Sequence, residues 1–223
     1  MNTTNCRGIV VPEQTSPHTE VRTEAAQRVL AAARELFGER GFDGVSIRDI
    51  AARAEVSKAN VFHHFSSKAQ LYEAVLQDSR MTFDEILTEL ADDSVPLGER
   101  MERFARKHLE RMLEDPSSVN LFLRQMLNQR GNVQRERAEE TLGDGLREML
   151  ALLEPALSER GRRDDTVALT AALALVGSTF MYFELRDVLP RLQTPGSDCD
   201  PDTYCAALMT LLRPGLEPPA GTP

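Results

Sequence analysis

Apolar positions recur along this chain at three- and four-residue intervals, with no run of the two-residue alternation that marks a strand. The pattern predicts an all-helical protein. Its densest stretch runs from Ser46 to Phe65, SIRDIAARAEVSKANVFHHF. Ile47, Ile50 and Ala51 fall at i, i+3 and i+4, which gives one buried face over about two turns. Ser46 is a favoured N-cap, with Asp49 three residues on as an imperfect capping-box partner. The chain then turns through Ala54, Glu55 and Val56, and Ser57 caps a second helix carrying Lys58, Asn60, Val61 and Phe62. Ser67, with Gln70 three residues later, caps a third. Caps this close together mean short helices joined by tight turns. That is the grammar of a helix-turn-helix, whose second helix lays its N-terminal residues in the major groove of DNA.

Longer patterns follow. From Lys68 to about Leu90, Leu71, Val75, Leu76, Met81, Phe83, Ile86, Leu87 and Leu90 mark a connector leading from the DNA-reading unit into the body. Leu97 to Glu114 carries Met101, Phe104, Leu109, Met112 and Leu113 before a break at Pro116. Val119 to Asn128 is a short apolar helix, Gln129 to Asn132 a loop, and Val133 to Glu159 a long helix loosened by Gly143 and Gly145 and kinked by Pro155. Thr166 to Phe183 holds eighteen residues without a charge. A membrane span needs about twenty apolar residues, and this run contains Thr166, Thr170, Ser178 and Thr179. A helix apolar all round belongs in a core or an interface, so no membrane is expected. Its small residues (Ala168, Ala171, Ala172, Ala174, Gly177) allow another helix to approach closely. Asp200 with Pro201 begins a closing helix that should end before Pro214. Residues 1–20 and 214–223 should be a disordered arm and tail.

The stretch from Ala25 to Leu76 resembles the N-terminal domain of TetR-type transcriptional repressors. The likeness rests on residues in fixed register: Leu36-Phe37, Arg40-Gly41-Phe42, Ser46, Ile50-Ala51, Val56-Ser57-Lys58, His64-Phe65, and Lys68 followed by Leu71. It implies a DNA-binding domain over 21–67, with the helix-turn-helix at 46–65, and a helical effector-binding and dimerisation domain over 68–213. It further implies a homodimer joined through helices at 165–189 and 201–213 and, commonly, a small-molecule effector. DNA contacts are expected from Ser46, Ser57, Lys58, Asn60, Val61, Phe62, His63, His64 and Lys68, with His64 resembling a phosphate-touching position and Phe65 packing beneath. Three positions depart from the pattern. The family commonly has tyrosine where Phe62 stands and often at His63; Phe62 lacks the hydroxyl for a phosphate, although its ring can meet a thymine methyl. Asn60 replaces a residue that is often small, and its amide can pair with adenine or with phosphate.

Charge narrows how such a unit would hold DNA. The net charge is −9 and the pI about 5.1. Glu20 to Arg80 is neutral, with nine basic and nine acidic residues, so the whole deficit falls on Met81 to Pro223. Phosphate attraction must come from a few placed cations, Lys58 and Lys68 above all, with helix N-termini and protonatable His63 and His64. Cys6, Cys199 and Cys205 are too few and scattered for a disulfide framework or a zinc site. They read as free thiols in a reducing cytosol, and no secretory signal is visible in the first twenty residues. There is no phosphate-binding glycine loop, nucleophile elbow, H-E-x-x-H or paired CxxC, so neither an enzyme nor a cofactor is expected. His63 and His64 are adjacent, point about 100° apart on a helix and cannot chelate one metal.

A cavity for an apolar effector is expected among Met101, Phe104, His108, Met112, Phe122, Met126, Met149, Met181 and Tyr182, because methionine adapts to irregular apolar shapes. Ordinary core packing accounts for any single one of them. His108 and Arg124 are polar groups beside these positions, each suited to a ligand head group or to solvent. The chain thus reads as a homodimeric repressor on a palindromic, double-stranded operator. The alternative is a helical ligand-binding or protein-interaction adaptor without DNA activity, which would need no cluster of Ser57, Lys58, His64 and Lys68 around one helix end.

Overall fold

The computed structural model describes residues 23–127, 133–158, 165–192 and 199–216. Among them are ten α-helices and no strand: α1 Glu24–Arg40, α2 Ile47–Arg53, α3 Lys58–His64, α4 Lys68–Ala91, α5 Leu97–Glu114, α6 Pro116–Leu127, α7 Val133–Ser158, α8 Asp165–Leu185, α9 Leu189–Leu192 and α10 Pro201–Leu216. The arm at 1–20, the loop at 129–132, and residues 217–223 of the tail lie outside the described residues.

The N-terminal helices start where side chains satisfy their free N–H groups. Thr23, Ser46, Ser57 and Ser67 each accept a hydrogen bond from the third residue on. At Ser46 the exchange is reciprocal: its backbone N–H donates to Asp49 Oδ2 at 2.9 Å, completing the capping box despite the short carboxylate. The Ser46 hydroxyl and backbone N–H also hold the Asp49 carboxyl below its usual range. The turn into α3 passes through Glu55, a non-glycine residue at φ 55°.

Two apolar cores follow from this arrangement. The first joins Val29, Leu36 and Phe37 of α1, Ile50 and Ala51 of α2, Val61 and Phe65 around α3, and Leu71, Tyr72, Val75 and Leu76 of α4. The head therefore continues past residue 67, because its three short helices leave an open side that the first turns of α4 close. Tyr72 meets Phe37 and Phe42 edge-on at 5.3 and 5.2 Å. Leu121 of α6 also enters this core. Gly38 lets α1 and α6 touch; a Cβ there would fall 2.8 Å from the Ser117 carbonyl oxygen.

The second core gathers Ile86, Leu90, Met101, Phe104, Leu109, Met149, Leu153, Ala172, Leu175, Phe183, Cys205 and Met209 from α4, α5, α7, α8 and α10. The closing helix does not stop before Pro214. It runs on to buried Leu216, since a proline within the last turn costs only one backbone bond there. α7 likewise continues through Pro155 to Ser158. Thr166–Leu185 is long and apolar enough to cross a membrane by length and composition, with 44% of that stretch buried in the protein. Along its uncovered side run Leu169, Leu173, Gly177 and Met181, spaced four apart as a single stripe.

Candidate DNA interface and ligand cavity

The second helix of the helix-turn-helix, α3, is seven residues long, so each side chain has one clear assignment. Ser57, Lys58, Phe62 and His63 are exposed, as is Ser46 at the head of α2. Phe62 shows half of its surface to solvent. Val61 does not belong on this face. It is fully buried, because a helix of two turns must commit one residue per turn to its core, and Val61 and Phe65 are those residues. Asn60 is half-buried, and its Oδ1 is enclosed with no hydrogen-bond donor. A bidentate pair with adenine would need this amide to turn over. His64 is half-buried with Nε2 3.4 Å from Thr23 Oγ1, so it ties α3 to the start of α1. Lys68, the first residue of α4, holds its Nζ 4.2 Å from the centre of the Phe42 ring in a cation–π contact.

Behind the head lies a cavity of about 210 Å³ between α4, α5, α6, α7 and α8. Its apolar wall includes Phe83, Ile86, Met112, Phe122, Val176 and Phe180, with His108 as the buried polar group. Of the residues expected there, His108, Met112 and Phe122 line it. Phe104 sits one layer back, stacked on His108 at 5.6 Å. Met101 and Met149 are fully buried in the second core, and Met126 is half-buried away from the wall. Tyr182 is buried but spends its hydroxyl on the Cys199 carbonyl at 2.7 Å. Met181 is 58% exposed and belongs to the outer stripe of α8. The physical reason is the helical step of about 100° per residue: once Val176 and Phe180 face inward, Met181 cannot.

Charged residues edge the same cavity. Arg34 of α1 donates from Nη1 to Asp115 Oδ2 at 2.9 Å and pairs with Asp78 of α4. Arg80 pairs with Asp84 at 2.8 Å and Glu148 at 2.5 Å. Gly145, read from sequence as loosening α7, is instead where Arg80 passes; a Cβ would fall 2.6 Å from Arg80 Nη1, and the helix is unbroken there. Arg124 contacts neither solvent alone nor the cavity. Its Nη2 and Nε donate to the Glu39 and Gly38 carbonyl oxygens at 2.7 and 3.2 Å, capping the end of α1. Both Arg34 and Arg124 therefore fasten the head to the wall of the cavity.

His108 is the cavity's titratable centre. Its Nδ1 lies 2.8 Å from Thr179 Oγ1, and Phe83 and Phe180 meet the ring edge-on at 5.6 and 5.9 Å. Burial pushes its pKa down to about 4, so the imidazole is neutral at pH 7. No cluster of potential metal ligands occurs among the described residues.

The profile described as "Bacterial regulatory proteins, tetR family" matches residues 29–75, from α1 into α4. The HTH-type transcriptional repressor Rv3405c of Mycobacterium tuberculosis is 54% identical over 55 residues, 25% of this chain and 29% of the relative. Over residues 29–75 the chain is similar to the tetR family's N-terminal domain. Escherichia coli RutR, an HTH-type transcriptional regulator, is 34% identical over 99 residues, 44% of this chain and 46% of the relative. In these matches the chain spans less than half the length of the curated relatives. A TetR-like transcriptional regulator from Rhodococcus sp. RHA1 shares the fold over 87% of this chain and 97% of that one, with TM-score 0.67 at 22% identity.

The head is far easier to read from the sequence than the cavity. Phe83, Val176 and Phe180 were missed as lining. Phe83 stood in the connector pattern without a phase, and the run of α8 has no charged residue to say which face turns inward. Arg34 was missed altogether, since its partners Asp78 and Asp115 lie 44 and 81 residues away in sequence.

Proposed function

We propose that this protein is a homodimeric, sequence-specific transcriptional repressor, released from a palindromic operator by a small, largely apolar ligand in the cavity between α4 and α8. The observation that carries it is mechanical continuity. α4 closes the core of the DNA-reading head with Leu71, Tyr72 and Val75 and lines the cavity with Phe83 and Ile86. α6 is similarly shared, with Leu121 in the head core and Phe122 on the cavity wall. A ligand that enlarges the cavity by displacing α4 or α6 carries the head with it. Two recognition helices reading successive major grooves must sit about 34–36 Å apart. A displacement of a few ångströms spoils docking of the second half-site.

The second copy is expected on the outer stripe of α8, Leu169, Leu173, Gly177 and Met181, together with Leu211 of α10, which is 79% exposed. Gly177 leaves open space in that stripe for a close helix approach, and a second copy would cover apolar surface that one chain leaves in water. The adaptor reading is weaker, because it gives no role to Ser57, Lys58, Phe62 and His63 exposed along α3.

The test is a selection of bound duplexes from random DNA by the full chain. The selected sites should be inverted repeats with half-site centres roughly 10 bp apart or somewhat more. Sites without dyad symmetry would contradict the dimeric reading, and no enrichment at all would contradict DNA reading.

A further inference from the structure

We infer that the ligand of this cavity carries one neutral hydrogen-bond donor, an O–H or N–H, that seats against Nε2 of His108. The inference deepens the ligand-release reading above and rests on it. It begins with Thr179. Its Oγ1 lies 3.0 and 2.9 Å from the carbonyl oxygens of Leu175 and Val176. Two oxygen–oxygen contacts of that length are repulsive unless the hydroxyl hydrogen lies between them, the usual back-bond of a helical threonine. The hydroxyl therefore has only lone pairs to offer His108 Nδ1, 2.8 Å away. Nδ1 must carry the hydrogen and donate it.

The other nitrogen follows from the first. A neutral imidazole with N–H at Nδ1 has a bare lone pair at Nε2. Burial keeps His108 neutral, and Nε2 takes no protein donor among the described residues. The ring lines the cavity, stacked on Phe104 and edged by Phe83 and Phe180. The wall thus presents one unfilled acceptor inside an aromatic surround. A carboxylate placed there would set lone pair against lone pair. Arg34 pairs with Asp78 and Asp115, Arg80 with Asp84 and Glu148, and Arg111 with Glu114, so each arginine at the cavity edge already faces a carboxylate, while Arg34 Nε and Arg80 Nη1 are buried without a hydrogen-bond partner. Size completes the class. An apolar cavity of about 150 Å³ holds benzene, so about 210 Å³ takes one ring with a short chain. A small phenol, alcohol or N–H heterocycle matches both this volume and the acceptor at Nε2.

The experiment is calorimetric titration of the full chain with 4-ethylphenol, its methyl ether 4-ethylanisole, and 4-ethylbenzoate. The phenol should bind at least about tenfold more tightly than the ether, because the ether leaves the buried Nε2 without a donor. In His108→Phe, which keeps a ring on Phe104, ether binding should persist and the preference for the phenol should disappear. Equal binding of phenol and ether to the natural protein would overturn the inference while leaving the cavity reading intact. Tightest binding by the benzoate would overturn it in favour of an anionic ligand. Binding by none of the three would overturn the cavity reading and this inference with it. Should the variant fail to fold, nitrogen-15 shifts of His108 in the natural protein decide: Nδ1 protonated and Nε2 bare is expected, and the reverse tautomer overturns the assignment.

Discussion

At the scale of single residues, the proposed function separates positioning from reading in the head. Lys68 is held by Phe42 beside the start of α4, so Lys68→Ala should weaken binding to all DNA alike and flatten the log–log salt slope by about one unit. Asn60→Ala should instead cost about 1–3 kcal/mol on the best site alone if its amide turns over to meet a base. Binding measured at several salt concentrations on a selected and a scrambled duplex distinguishes them; equal losses on both duplexes for Asn60→Ala would make it a phosphate contact. Within the cavity, His108 has a signature in stability. Its pKa falls from an ordinary value of 6.5 to about 4 on burial, so the unfolded chain takes up a proton that the folded chain refuses. Above pH 6.5 this costs nothing; as pH falls toward 4, up to about 3 kcal/mol of stability is lost. Urea unfolding across that range should show a shallower acid loss for His108→Phe than for the natural protein. Parallel slopes would mean the imidazole is not buried in solution.

At the scale of helices, legibility in the sequence tracked local information. The caps at Ser46, Ser57 and Ser67 fixed three helix starts, because a cap and the N–H groups it satisfies lie within three residues. Leu97–Glu114 was legible at both ends. What could not be read was which face of α8 turns inward, and that one ambiguity placed Met181 and Tyr182 in the cavity in place of Val176 and Phe180. Val61 failed for a related reason, since a family contact pattern says nothing about which residue a two-turn helix gives to its own core. The outer stripe of α8 makes its own prediction. Leu173→Glu, at a position half exposed in one chain, should give a monomer by sedimentation equilibrium with unchanged helical content. A charge there is tolerated by the isolated chain but buried unpaired in the dimer. A dimer that survives this change would place the interface elsewhere.

At the scale of the molecule, the chain divides its labour by charge. The head is neutral and the body carries the net −9, which keeps the body off the phosphates and leaves binding to a few placed groups. What joins the two parts is α4, reinforced by Arg34 reaching to Asp78 and Asp115 and by Arg124 on the end of α1. If these make cavity and recognition helix one two-state device, ligand and operator must oppose each other by the same factor, typically equivalent to about 1–3 kcal/mol. The decisive measurement is therefore a pair of titrations: a cavity-binding probe into the protein alone and into the protein saturated with its selected inverted repeat. The account predicts that operator weakens the probe by the factor with which the probe weakens operator. Equal probe affinity in both titrations would contradict it, leaving a DNA-binding dimer whose cavity has no say in repression.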